Sequence, residues 1–145
     1  MLSEILAISG KPGLYKYVSK GNRMILVETI DEMKKRMPAM AADKIVALSD
    51  ISIYTDDDQE VPLATVFENI KSVYNGKRVD IHHKKASLDQ IVEFFVKVLP
   101  NYDTDRVHIG DMRKVLQWYN ILIDNNLDDF SVEKENEESK ENKPE

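Results

Sequence analysis

The sequence predicts an α+β protein with a small β barrel at its N-terminus and a small three-helix unit at its C-terminus. Two observations predict this class. Short runs of aromatic and β-branched residues, interrupted by turn residues, fill positions 1–55. Beyond position 60 the apolar residues instead recur with the period of a helix. The polar stretch 55–60 separates the two patterns.

The clearest β element is a hairpin over residues 13–28. Its two strands carry side chains that suit a half-buried pleated surface: Tyr15, Tyr17, Val18, Ile25 and Val27. The turn is predicted at 19–22, where Gly21 and Asn22 tolerate a positive φ. This hairpin is therefore expected at the centre of the β domain.

Further short strands are predicted at 34–37, at 44–48 and at 50–54. Pro38 is expected to end the first of them, because proline cannot donate to a central ladder. Upstream of the hairpin, Leu2, Ile5 and Leu6 fit one face of a short helical turn. Five short strands within about 55 residues favour a closed or nearly closed barrel of SH3-like size.

Three amphipathic helices with short connections are predicted after the barrel. The first begins near Pro62 and ends near Gly76, the second follows a capping box formed by Ser87 and Gln90, and the third starts at about Asp111. The expected organisation is a barrel domain (1–55), a connecting turn, helix and basic linker (56–86), a helical domain (87–128) and a disordered acidic tail (129–145).

Composition narrows the classes of protein. The chain has no cysteine, which excludes disulfides and thiolate metal sites. Its formal net charge is −6, and residues 131–145 supply half of it with six Glu and three Lys. The N-terminus lacks the features of a signal peptide, and no apolar run approaches a membrane span. The expected location is the cytoplasm.

The residues give no pattern of catalytic or metal-binding chemistry. His82 and His83 are adjacent, so their side chains diverge on a helix or a strand, and His108 is distant. No Gly-x-Ser-x-Gly elbow, Gly-rich phosphate loop or His-Glu-x-x-His motif is present. We therefore expect a protein that is not an enzyme and that uses no metal or cofactor.

Surplus apolar side chains on the second and third helices predict a surface for a protein partner or for self-association. They lie outside the main apolar stripe of each helix: Phe94, Val96, Trp118 and Ile121. In the alternative interpretation, these side chains only seal the two domains together. A non-catalytic protein-interaction module is the leading functional hypothesis.

Nucleic-acid binding is the second hypothesis. Two basic clusters, one on the barrel and one on the linker, are suited to gripping phosphates: Lys34, Lys35, Arg36, Lys77, Arg78, Lys84 and Lys85. Tyr15 or Tyr17 is placed to stack on bases. The mildly acidic balance of residues 1–130 argues neither for nor against a polyanionic partner.

Several stretches resemble a family of short bacterial proteins known only as a domain of unknown function. They are 13–16, 48–55, 99–103, Arg106-Val107, and Lys114 with Trp118-Tyr119. The resemblance covers about residues 1–125. It implies an N-terminal SH3-like barrel followed by a small helical domain, and it implies no particular catalytic or binding residues.

Overall fold

The computed structural model of the chain describes residues 2–40 and 42–130. A five-stranded antiparallel sheet comes first and three helices follow, so the predicted α+β class is confirmed. The sheet contains β1 (Ile5–Ile8), β2 (Tyr15–Gly21), β3 (Met24–Thr29), β4 (Arg36–Met40) and β5 (Ile45–Ala47). The predicted acidic tail lies, from residue 131 onward, outside the described residues.

The predicted hairpin is present as β2 and β3, at the centre of a sheet with the strand order β4-β3-β2-β1-β5. Gly21 pairs directly with Met24, so the turn consists of Asn22 and Arg23 alone. The residue with a positive φ is Arg23, at 62°, whereas the sequence assigned that role to Gly21 and Asn22. The position of the hairpin is correct, and the detail of its turn is not.

The N-terminal segment differs from its prediction. Leu2 lies in a short 3₁₀ turn (Leu2–Glu4), but Ile5 and Leu6 lie in β1 and not in a helical turn. β1 pairs with β2 on one side and with β5 on the other. Pairing of β1 with other strands therefore decides the conformation of residues 5–8. The spacing of Leu2, Ile5 and Leu6 along the sequence does not reveal this pairing.

The fourth strand also departs from its prediction, because β4 continues through Pro38 to Met40. Pro38 lies opposite Leu26 on β3. β4 is an edge strand, and an edge is where a strand tolerates a residue without an N–H. Lys34, which the sequence placed in this strand, instead has a φ of 46° in the preceding turn.

β4 and β5 are the two edges of the sheet, and they do not pair with each other in the described part of the chain. The sheet is therefore open along this seam, and no closed barrel is seen. A small cavity of 190 Å³ lies at the seam, where Ala39 and Met40 face Ile45.

The strand β6 (Ser52–Tyr54) was predicted as part of the barrel, but it pairs with β7 (Glu60–Pro62) in a separate two-stranded hairpin. Residues 55–59 of the polar stretch form its turn, in which Thr55 N donates to Gln59 O at 2.9 Å. The sequence did not predict β7, since three residues ending in proline give too short a pattern. This hairpin leads directly into the first helix.

The three helices α1 (Leu63–Val73), α2 (Leu88–Val98) and α3 (Ile109–Asp124) lie where the sequence predicts them. The capping box of α2 is present, because Ser87 Oγ accepts from Gln90 N at 3.2 Å and Gln90 Oε1 accepts from Ser87 N at 3.0 Å. Local signals decide the bounds of all three helices.

One large core joins the helices to the start of the chain. Its buried side chains include Leu2, Ile5, Leu14 and Leu48 together with the apolar stripes of α1, α2 and α3. A second, smaller cluster lies on the sheet alone and is built around Tyr15 and Val27.

The linker between α1 and α2 is fixed by side chains of α3. Arg113 Nη1 donates to the carbonyl oxygens of His83 at 2.8 Å and of Ala86 at 3.3 Å. Tyr119 donates its hydroxyl proton to Lys77 O at 2.9 Å. The basic linker therefore has a defined path across the third helix.

Candidate functional site

One edge of β6 has unpaired main-chain groups. In the β6–β7 hairpin, Leu63 N donates to Ile51 O at 2.9 Å, which makes this a hydrogen-bonded pair. Hydrogen-bonded pairs alternate along antiparallel strands. The N–H and C=O groups of Ser52 and Tyr54 therefore point away from β7, toward the opposite edge of β6.

The segment 101–103 of the same chain covers the end of this edge. Thr55 and Tyr102 form an antiparallel bridge, and Asp103 N donates to Tyr54 O at 2.9 Å. The edge of β6 is thus able to accept a strand, and part of it already does so within the fold.

Beyond Asp103 the chain turns away from β6. Asp103 Oδ1 stabilises this turn by accepting from the main-chain N–H groups of Asp105 at 2.8 Å and of Arg106 at 3.2 Å. Within the described ranges, 2–40 and 42–130, no segment pairs with the remaining edge at Ser52.

A groove of 270 Å³ lies between this open edge and α3, and we call it the β6–α3 groove. Val107 and Val115, both buried, form its apolar base. On the α3 side the groove is lined by Trp118, which is half-buried, and by Lys114, which is exposed. The site therefore combines open main-chain groups, an apolar base, a large aromatic ring and a cation.

The two cations of this groove differ in their partners. The Arg106 guanidinium lies 4.8 Å from the centre of the Tyr54 ring and forms ion pairs of 3.5 Å with Asp58 and with Asp103. Lys114 has no ion pair within the described residues. Lys114 is therefore the positive charge that is left for an external group.

A second groove, of 300 Å³, lies on another face of α3 and contains Ile121 together with the two linker histidines. The rings of His82 and His83 stack with their centres 5.0 Å apart. His82 Nδ1 accepts from the main-chain N–H groups of Lys84 and Lys85, both at 3.1 Å. Burial, followed by the neighbouring His82, lowers the pKa of His83. These contacts stabilise the linker turn itself.

The four apolar residues predicted to bind a partner do not share one surface in the structure. Phe94 is 1% exposed, because it faces the core of the helical unit, and Val96 is 43% exposed on α2. Trp118 lines the β6–α3 groove, whereas Ile121 lines the second groove. Of the four, Trp118 is the one that lies beside open main-chain groups.

The basic residues proposed for nucleic-acid binding are all exposed, and they lie in two places. Lys34, Lys35 and Arg36 lie at the turn between β3 and β4 and at the start of β4, and the others lie on the linker: Lys77, Arg78, Lys84 and Lys85. Arg36 pairs with Glu28 at 3.3 Å and Arg78 with Asp124 at 3.0 Å. Carboxylates thus accompany part of both clusters.

The described residues contain no group of three or more His, Asp or Glu side chains arranged to hold a metal ion. None of their helices is long and apolar enough to cross a membrane.

Two family models match this chain, and both are described as domains of unknown function. The one named DUF5606 matches residues 2–48, and the one named DUF6852 matches residues 51–122. A solution NMR structure of a protein from Bacteroides vulgatus is 53% identical in sequence and has a TM-score of 0.76 with this fold. That match covers 90% of this chain and 91% of the other. The chain belongs to the family of that bacterial protein.

Membership of this family confirms the resemblance to a bacterial domain of unknown function. No curated protein matches the chain. Three of the stretches that carry the resemblance meet in the β6–α3 groove, namely 48–55, Arg106-Val107, and Lys114 with Trp118. These residues were recognised in the sequence as carriers of the family resemblance. Their place in one groove depends on the contacts between distant segments in the fold.

Proposed function

We propose that this chain is a non-catalytic protein-interaction module whose partner binds in the β6–α3 groove. The open edge of β6 beside Trp118 is the observation that carries the proposal. Unpaired main-chain groups next to an apolar base favour a polypeptide partner, because a polypeptide supplies both hydrogen bonds and apolar side chains. Tryptophan is among the residues that dominate binding energy at protein interfaces.

The groove has a volume of 270 Å³, which is near the lower end of the roughly 300–1,000 Å³ range of small-molecule pockets, so its size alone favours neither kind of ligand. A short segment of chain laid along the groove would bury Trp118 without needing an enclosed cavity. We expect a small and transient interface.

Site-specific photo-crosslinking tests this proposal. A photoreactive phenylalanine derivative replaces Tyr54, which lines the groove and is 40% exposed. The full chain is expressed in Bacteroides vulgatus, the organism of the similar structure. The matched control carries the same derivative at Val96, which is exposed on α2, away from the groove. We expect a protein adduct from position 54 that is absent from position 96.

The partner protein identified from the adduct is then purified on its own. It is titrated into the wild-type chain and into the Trp118→Ala variant. The proposal predicts that Trp118→Ala weakens binding by about tenfold or more while the fold is retained. Equal affinity of the two chains, or a second copy of this chain as the sole adduct, would refute a distinct partner in the groove. Sedimentation equilibrium of the purified chain measures the self-association that the latter outcome implies.

Nucleic-acid binding is the second candidate, and one contact favours it. Arg78 pairs with Asp124, and Asp124 lines a 250 Å³ cavity together with Lys34. The two basic clusters therefore approach each other at the end of α3. Titration of labelled single-stranded RNA and duplex DNA at about 50 and about 200 mM salt tests it, because phosphate contacts weaken steeply over this range. No binding at either salt would reject this candidate.

We also propose that the sheet is an SH3-like barrel that is open between β4 and β5. Beside this seam Asp43 N donates to Met40 O at 3.0 Å, which supports a short connection between the two edge strands. Hydrogen exchange of the β4 and β5 amides tests closure. Cytoplasmic location is tested by fractionating cells that express the chain.

A further inference from the structure

We infer that the partner binds the β6–α3 groove as an extended strand, pairing antiparallel with β6 and placing a carboxylate at Lys114. This inference rests on the proposed function, and it specifies both the conformation of the partner segment and its chemistry. Addition of an external strand to an exposed sheet edge is an established mode of peptide recognition.

The hydrogen bonds of the β6–β7 hairpin identify which groups are available. The two bonds Leu63 N to Ile51 O and Thr55 N to Gln59 O fix the register of hydrogen-bonded pairs. Ser52 lies between these pairs, opposite Pro62. Its N–H and C=O therefore both point toward the open edge that borders the groove.

The segment 101–103 shows the geometry that an added strand would continue. It bridges Thr55 through Tyr102 in the antiparallel direction, and Asp103 N uses the Tyr54 carbonyl. The register of this bridge would place residue 105 opposite Ser52, but the chain has already turned away there. A partner strand takes the place that the chain itself leaves empty.

Side chains of such a strand alternate between its two faces. One face would contact the apolar base at Val107 and Val115 and the ring of Trp118. The ammonium group of Lys114 lies at the rim, exposed and without an ion pair within the described residues. A partner with one apolar residue and a neighbouring Asp or Glu is therefore complementary to the groove.

A helical partner fits these observations less well. An α-helix satisfies its own main-chain groups, so it would cover the N–H and C=O of Ser52 without pairing them. A strand pairs these groups.

The test uses linear peptides selected from a random display library against the immobilised full chain. The strongest binder is synthesised, and a second series carries an N-methyl group at each position in turn. An N-methyl group removes one main-chain donor and leaves the side chain in place. We expect affinity to fall by about tenfold at the one peptide position whose N–H donates to the Ser52 carbonyl oxygen, and much less at the positions on either side of it.

A pair of protein variants tests the same hydrogen bonds from the other side. Ser52→Pro removes the N–H that points toward the open edge and leaves the β6–β7 bonds in place. Ile51, with φ −97° and ψ 135°, already has the extended conformation that precedes a proline. We expect Ser52→Pro to weaken the peptide by about tenfold and Ser52→Ala, which retains the N–H, to change its affinity less than about twofold.

Amide spectra of both variants report whether β6 and β7 remain paired. If Ser52→Pro disturbs this pairing, the N-methyl series on the wild-type chain decides whether the peptide binds as a strand.

A second expected result concerns the charge of Lys114. Lys114→Glu should weaken the binding of peptides that contain a carboxylate and spare the same peptides with Asn or Gln in its place.

The outcomes separate the two proposals. A peptide that is weakened by Trp118→Ala but unaffected by N-methylation and by Ser52→Pro binds the groove in another conformation, which overturns strand addition and leaves the proposed function standing. Selected peptides that bind Trp118→Ala as tightly as the wild-type chain overturn the groove as the binding site, and both proposals with it.

Discussion

Asn120 on α3 forms both hydrogen bonds that the main chain of Val79 requires. Its Oδ1 accepts from Val79 N at 2.7 Å, and its Nδ2 donates to Val79 O at 2.9 Å. Val79 is fully buried and Asn120 is 8% exposed. One side-chain amide thus fixes the middle of the linker between α1 and α2 to the third helix.

Asn120→Ala is expected to lower the free energy of unfolding by about 2–4 kcal/mol, because it leaves a buried N–H and a buried C=O without partners. Gln117→Ala, on the same helix, is the matched control and should change it by less than about 0.5 kcal/mol. Urea unfolding measures both. Similar small effects of the two substitutions would mean that water replaces the amide.

Phe94 and Val96 provide a test of burial on one helix, since the sequence assigned both to a partner surface. Phe94→Ala should lower the free energy of unfolding by about 3–5 kcal/mol, because it leaves a cavity in the core. Val96→Ala should change it by about 0.5 kcal/mol or less, since Val96 is largely exposed. Thermal or urea unfolding compares them, and a tolerated Phe94→Ala would contradict the packing described above.

Tyr119 is expected to make the fold sensitive to alkali. Burial, followed by the charge of Asp128, raises the pKa of its hydroxyl to about 12. Because this pKa is higher in the folded chain than in the unfolded chain, its contribution to stability is complete below about pH 10 and declines from there toward pH 12. Urea unfolding across this window measures the decline.

Two variants serve as controls for the alkaline effect. Tyr119→Phe should flatten the loss of stability above about pH 10, and it also removes the hydrogen bond to Lys77 O. Tyr17→Phe, at an exposed position, should leave the pH dependence as it is in the wild-type chain. If the stability of Tyr119→Phe falls as steeply above about pH 10 as that of the wild-type chain, another group is responsible for the alkaline effect.

Glycine substitutions at the β2–β3 turn should have opposite effects at adjacent positions. Arg23→Gly relieves the cost of a left-handed conformation, about 1–2 kcal/mol, and loses about 0.5–1 kcal/mol through the freedom of glycine when unfolded. A gain of roughly 0.5 kcal/mol is expected from these two terms. Asn22→Gly has only the second effect and should destabilise. Thermal unfolding of both variants measures these changes in stability. Lower stability of both variants would show that the Arg23 side chain stabilises the turn.

The helices were predictable because their signals are local. The Ser87–Gln90 capping box and the apolar stripe of α1 are read directly along the chain, and both are present in the fold. The β2–β3 hairpin was predictable for the same reason, since a turn joins two strands that are neighbours in sequence.

The candidate groove was not predictable, because it depends on contacts between distant segments. β6 was expected in the barrel, but it pairs with β7. β7 has only three residues, which is too short to show the alternating pattern of a strand. The bridge between Thr55 and Tyr102 joins residues that are far apart in the chain. Trp118 was identified as surplus apolar surface, but nothing in the sequence indicated which surface it would face.

The shared core has a consequence for the history of this family. The two family models meet near residue 50, which divides the chain into two halves that match separate families. Leu2, Ile5 and Leu14 from the first half nevertheless pack in the same core as α1 and α3 from the second. A recombination event that separated the halves would expose these side chains to water, so natural selection is expected to keep the two halves together in one polypeptide.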